Sequence, residues 1–142
     1  MMIEAQSPRF ENVMIIDDNH IDLYIASRLI TKNHFGKKVL QYSSAIEAFN
    51  YLQENQEHIH LLPEIIFLDI YMPVMTGFEF MEAYDTLPSS FKSKCKVFLL
   101  SSSIDERDVA RAKNDKNIVS MKEKPITKEF LNDFKMSHNS SS

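Results

Sequence analysis

Apolar runs of strand length recur along the chain: Val13 to Ile16, Lys38 to Tyr42, Ile65 to Leu68, Val97 to Leu100 and Ile118 to Met121. Three of them, VMII, IIFL and VFLL, are apolar at every position. A strand with one face in water alternates apolar with polar residues, whereas a central strand of a parallel sheet is covered on both faces and reads as an unbroken run. The pattern therefore predicts central parallel strands at these three places.

Between the runs the period lengthens to that of a helix. In His20 to Lys32, the residues Ile21, Ile25 and Leu29 fall at i, i+4 and i+8, which predicts one buried stripe. Ser44 followed by Glu47 has the form of a capping box and opens a second helix carrying Ala45, Ala48, Phe49 and Leu52. Phe78 to Leu87 is the third, closed by Pro88. Ser103 and Glu106 offer another capping box ahead of Val109, Ala110 and Ala112, and Thr127 is placed to cap a last helix with Phe130, Leu131 and Phe134. Five strands alternating with five helices predict an α/β domain with a doubly wound, five-stranded parallel sheet, in an order that periodicity does not fix. Residues 1–11 read as a flexible leader, 12–136 as the domain, and 137–142 (SHNSSS) as a disordered polar tail.

Composition narrows the function. At 142 residues and 44% hydrophobic content the chain builds one core. A net charge of -4 argues against direct nucleic-acid binding, which calls for clustered Lys and Arg. The one cysteine, Cys95, gives neither a disulfide framework nor a cysteine metal cage, and a reducing, cytoplasmic setting is expected. No run reaches the ~18 apolar residues that cross a bilayer, and the first residues lack the pattern of a secretion signal. With only two glycines, Gly36 and Gly77, and no phosphate-loop motif, a nucleotide cradle is excluded. His20, His34, His58, His60 and His138 are scattered, and His58 with His60 reads as a loop beside Pro63 rather than a metal pair.

The reactive residues stand at the carboxyl ends of the strands, where open α/β sheets bind their ligands. Asp17 and Asp18 follow VMII, Asp69 follows IIFL, Ser101 follows VFLL, and Lys124-Pro125 follows the last strand. Taken alone, Asp17 and Asp18 read most simply as helix caps. Brought together, three carboxylates repel and call for a cation. Oxygen-only ligands with room for water and phosphate oxygens suit Mg²⁺. Ser101, Ser102 and Ser103 are consecutive, so which hydroxyl faces the site depends on strand register.

In the run IIFLDIYMPVMTGFEF, the residues Asp69, Met72, Pro73 and Gly77 match the D-x-x-M-P-x-x-x-G signature of bacterial response-regulator receiver domains. The acidic pair, the hydroxyl residue and the Lys-Pro dipeptide match in order, and the resemblance covers roughly Asn12 to Phe134. It implies a flavodoxin-like (βα)5 fold and a phosphorelay role, with no enzymatic activity beyond the domain's own Mg²⁺-dependent phosphorylation and dephosphorylation. Asp69 would accept a phosphoryl group from a sensor histidine kinase or histidine phosphotransfer protein. Asp18 would ligate Mg²⁺ directly, Asp17 would support it, and the Tyr71 carbonyl would complete the protein's share of the shell. Lys124 would pair with Asp69 and then with a phosphoryl oxygen, and Ser101 would bond another. Gly77 is expected to occupy a turn at positive φ. Many receivers carry an aromatic switch residue three positions before the lysine; here that position is Met121. The switch is therefore expected in Ser101 and the segment after it, with Met121 repacking. Tyr71 is expected at the mouth of the site as a shield against water. Aspartyl phosphohydrolases commonly carry a second Asp two residues after the nucleophile, and Tyr71 stands there instead. With no output domain visible, the signal is expected to leave through an unknown downstream protein, without direct nucleic-acid or membrane binding.

Overall fold

The computed structural model describes residues 8–140, with side chains through 134. Its elements are β1 Phe10–Ile16, α1 His20–Lys32, β2 Gly36–Tyr42, α2 Ala45–Glu54, β3 Ile65–Asp69, α3 Gly77–Tyr84, α4 Ser89–Lys92, β4 Lys96–Ser101, α5 Glu106–Lys113, β5 Ile118–Glu123 and α6 Lys128–Ser140. All five strands are parallel, in the order β2-β1-β3-β4-β5. The three unbroken apolar runs are the three central strands, and the mixed runs are the edges. The order reverses between β1 and β3, which is where a doubly wound sheet opens a crevice.

Side-chain alternation splits the core in two. Met14, Ile16, Ile66, Leu68, Val97 and Leu99 face a layer formed by α2, α3, α4 and Ala112 of α5. Val13, Ile15, Ile65, Phe67, Phe98 and Leu100 face α1 and α6, where Phe35, Leu131 and Phe134 fill the space. On that second face the Phe35 and Phe134 rings lie 5.5 Å apart and Phe98 and Phe134 5.1 Å. Burial on both faces anchors the strand ends, and with them Asp17, Asp69 and Ser101.

Several local expectations are corrected. The buried stripe of α1 is Leu23, Ser27 and Ile30, whereas Ile21 and Ile25 are exposed. Both sets satisfy helical spacing on nearly opposite faces, so periodicity alone did not choose between them. The cap of α1 is Asn19, whose side chain accepts the Ile21 and Asp22 N–H groups at 3.0 Å, so neither Asp17 nor Asp18 serves as the cap. Strand β1 begins at Phe10, inside the stretch read as a leader, because Phe10 N–H donates to the Phe35 carbonyl and Glu11 N–H to the Glu64 carboxylate. The rest of that reading, residues 1–7, lies outside the described residues, as do Ser141 and Ser142. Helix α6 runs on through Ser140, into the segment read as a tail. Ser and Asn cost a helix only a few tenths of a kcal/mol per residue, so a polar composition did not mark its end.

Ser44 and Thr127 cap their helices as expected, accepting the Glu47 N–H at 3.2 Å and the Phe130 N–H at 3.0 Å. Helix α5 instead starts from Asp105, which accepts the Arg107 N–H at 2.8 Å. The complete capping box belongs to Thr76 and Glu79 at the head of α3. Helix α3 ends at Tyr84, and after Pro88 the one-turn α4 tucks Phe91 into the core. His58 precedes the 3-10 turn Ile59–Leu61 and His60 lies within it, their ring centroids 6.4 Å apart.

Candidate functional site

The carboxyl ends of β1 and β3 bring oxygens of Asp17, Asp18 and Asp69 within 4.8 Å of one another, the one such group of potential metal ligands among the described residues. Asp17 and Asp69 are buried and Asp18 is exposed. Lys124, leaving β5, sets its ammonium 3.0 Å from Asp17 and 3.6 Å from Asp69. The register carries it there: Ser101 pairs with Glu123, and Lys124 N–H donates to the Ser101 carbonyl at 2.7 Å. The Lys124-Pro125 peptide is cis.

Burial raises the Asp69 pKa to about 6; Lys124 pulls it down, and Asp17 and Asp18 add to the rise. Burial works to lower the Lys124 pKa, but the hydrogen bond to Asp17 and the charge of Asp69 outweigh it and hold the amine above its ordinary value. One ammonium thus leaves the trio short of positive charge. Three carboxylates with a deficit of cation form a hard, oxygen-only donor set, which fits Mg²⁺.

Gly77 has a different reason from the one expected. Its φ is not positive; a Cβ there would lie 2.7 Å from the Asp69 carbonyl oxygen and 2.8 Å from the Ile70 Cα. Glycine is needed because the start of α3 presses on the backbone of Asp69 and Ile70, with Gly77 N–H donating to the Ile70 carbonyl at 2.7 Å. Within this turn the residue at positive φ is Val74, which is exposed.

Strand register selects Ser101 over its neighbours: it is the last residue of β4 and fully buried, while Ser102 and Ser103 are exposed. Its hydroxyl donates to the Ser103 carbonyl and accepts the Ser103 N–H at 3.3 Å, so in this state it braces the loop after β4. Tyr71 N–H donates to Asp69 at 3.3 Å, while its side chain is exposed and its hydroxyl donates to Asp108 in α5. The phenol links two loops. That bond raises the Tyr71 pKa above its ordinary value. Met121 packs, partly buried, against the core beneath α5. The sequence reading missed two members of this constellation, Asp22 and Asp108. Each sits in the first turn of a helix, where an acidic residue ordinarily signals only the helix dipole.

The family model for the response regulator receiver domain matches residues 13–134. Among solved structures, a two-component response regulator from Cytophaga hutchinsonii superposes with a TM-score of 0.82 at 30% identity, covering 92% of this chain and 98% of its own. A response regulator receiver protein from Dyadobacter fermentans gives 0.78 at 28%, covering 87% and 94%. The chemotaxis protein CheY4 of Vibrio cholerae, at 22% identity and a TM-score of 0.73 over 90% and 98%, shows the shared fold. Comparison with curated proteins gives no match. The chain belongs to the response regulator receiver domain family, and its place is in two-component signalling.

Proposed function

We propose that the chain is the phosphoacceptor of a phosphorelay, taking a phosphoryl group onto Asp69. The observation that carries this is the buried Asp69 carboxylate set between an acidic pair and the Lys124 ammonium, at the switch point of the sheet. An Asp69 oxygen attacks the phosphorus of a phosphohistidine. The P–N bond breaks, its electron pair returns to the imidazole as the leaving group, and the new O–P bond makes an acyl phosphate. Such a transfer needs little covalent help; it needs alignment and charge stabilisation.

Asp18, exposed and free of the Lys124 contact, would hold Mg²⁺ directly with Asp69 and the Tyr71 carbonyl, while Asp17, already bonded to Lys124 and to the Asn19 N–H at 2.9 Å, would support it. The ion, when bound, supplies positive charge for the transferring oxygens. Lys124 supplies the remainder, and Ser101 would exchange its loop contact for a phosphoryl oxygen. Its chemistry is confined to gaining and losing this group. The donor is a histidine kinase or phosphotransfer protein, and the exposed Ile21, Tyr24 and Ile25 of α1, on the helix that starts beside Asp17, offer it an apolar surface. No helix among the described residues is long and apolar enough to cross a membrane. The buried, unpaired Cys95 suits a reducing, cytoplasmic setting. Incubation with acetyl phosphate and Mg²⁺ adds one phosphoryl group by intact mass and none to Asp69→Asn; labelling that persists in that variant or in EDTA refutes the proposal.

A further inference from the structure

Lys124 has a third carboxylate partner. Asp22, in the first turn of α1, places an oxygen 3.1 Å from the Lys124 ammonium, as close as Asp17 at 3.0 Å and closer than Asp69 at 3.6 Å. Asp22 is partly exposed, while the Lys124 side chain is largely buried. An ammonium has three donors. Two meet Asp17 and Asp22, and the longest of the three separations is the one to the acceptor. Beside the lysine lies a cavity of about 60 Å³ lined by Ile25, Leu100, Pro125 and Ile126. That space leaves the Lys124 stem room to shift, and the ionic contacts hold its amine in place. Asp17 belongs to the acidic trio around a cation and, even as its supporting member, would share its charge with the ion, which weakens its hold on Lys124. Asp22 lies outside the trio and keeps its carboxylate for the lysine.

We propose that Asp22 is a positioning residue for phosphoryl transfer: it holds the Lys124 ammonium at the acceptor while Asp17 supports the divalent cation. This rests on the phosphoacceptor reading. It touches neither phosphorus nor metal, and it acts only through the lysine.

The test compares wild type, Asp22→Ala and Asp22→Glu with acetyl phosphate, a small donor that needs no docking surface. At saturating Mg²⁺, Asp22→Ala lowers the maximal labelling rate about ten-fold, the scale of a misplaced reacting group. The donor concentration at half-maximal rate stays unchanged, and Asp22→Glu recovers most of the loss. In metal-free, unphosphorylated protein, acylation of Lys124 by an N-hydroxysuccinimide ester, read by peptide mass against the other lysines, accelerates in Asp22→Ala and not in Asp22→Glu. An unchanged or faster maximal rate in Asp22→Ala, an equal loss in both variants, or unaltered Lys124 acylation overturns the proposal. A wild type that takes no phosphoryl group at all overturns the underlying phosphoacceptor reading and this inference with it, whereas normal wild-type labelling with an indifferent Asp22→Ala overturns the inference alone.

Discussion

Helices α1 and α5 flank the same site and are attached to the domain in opposite ways. Helix α1 is capped by Asn19, buries Leu23, Ser27 and Ile30, and reaches the site through Asp22. Helix α5, with the sequence ERDVARAK, buries only Ala112. Val109 is partly buried, and the helix's other contacts run through polar, exposed side chains: Tyr71 to Asp108, Arg111 over the Phe78 ring at 4.3 Å, and Arg111 to Glu82 at 3.9 Å. Apolar burial fixes an element at ~25 cal/mol per Å², whereas an exposed ion pair contributes ~0 to 1 kcal/mol. One flank holds the chemistry still, and the other is free to answer it. The loop between Ser101 and α5 links the two, since its brace is a hydroxyl that a phosphoryl oxygen would draw away.

The contrast breaks most visibly in stability. Ile30→Ala on α1 removes a fully buried side chain and costs about 3 kcal/mol by urea unfolding. Val109→Ala on α5, at a partly buried position, costs less than about 1 kcal/mol. Equal losses would mean that α5 is anchored as firmly as α1.

Asp69, the proposed acceptor, comes next. Its pKa of about 6 lies above the ordinary 3.8, chiefly because burial disfavours the charge. The folded protein therefore binds the proton more tightly than the unfolded chain, and this favourable contribution, complete below about pH 4, is lost as pH rises through about 6. Asp69→Asn, which never ionises, is expected to exceed wild type by about 1 to 2 kcal/mol near neutral pH without divalent cations, after allowance for solvent screening. Denaturation midpoints at several pH values check this, and a gap that stays constant from pH 4 to 8 contradicts it.

A smaller effect separates the flanks dynamically. Amide exchange in Ser101 to Ala112 should change on adding beryllofluoride with Mg²⁺, while Leu23 to Ile30 should not, because only the first segment is bound by replaceable polar contacts. The smallest effect belongs to Tyr71→Phe, which removes the exposed bond to Asp108 with little change in global stability yet should speed exchange across α5. Exchange that is identical in the variant would show that the phenol does not tie the two loops.

The convergence of Asp69, the acidic pair and Lys124 was legible because each follows a predicted strand, and strand ends in this topology meet at one crevice. Register then singled out Ser101 from three serines. The phase of α1 was not legible, since Ile21-Ile25-Leu29 and Leu23-Ser27-Ile30 both keep helical spacing and only the sheet decides which is covered. Nor was the reason for Gly77, because the approach of α3 to the Asp69 backbone is a tertiary contact. Asp22 and Asp108 were invisible for the same reason, their partners lying far along the chain. Asp105 displaced Ser103 as a cap because both suit the position and the chain turns into the helix two residues later. The bond from the Tyr71 hydroxyl to Asp108 of α5 was not legible either, because it too joins residues far apart along the chain.

The phosphoryl group is expected on Asp69 and on no neighbouring carboxylate. Borohydride reduces an aspartyl phosphate to homoserine, so the product marks the residue that carried the group. After transfer from a phosphohistidine protein in Mg²⁺ and reduction with borohydride, peptide sequencing should find homoserine at position 69 alone; homoserine at 17 or 18, or none anywhere, would contradict the account.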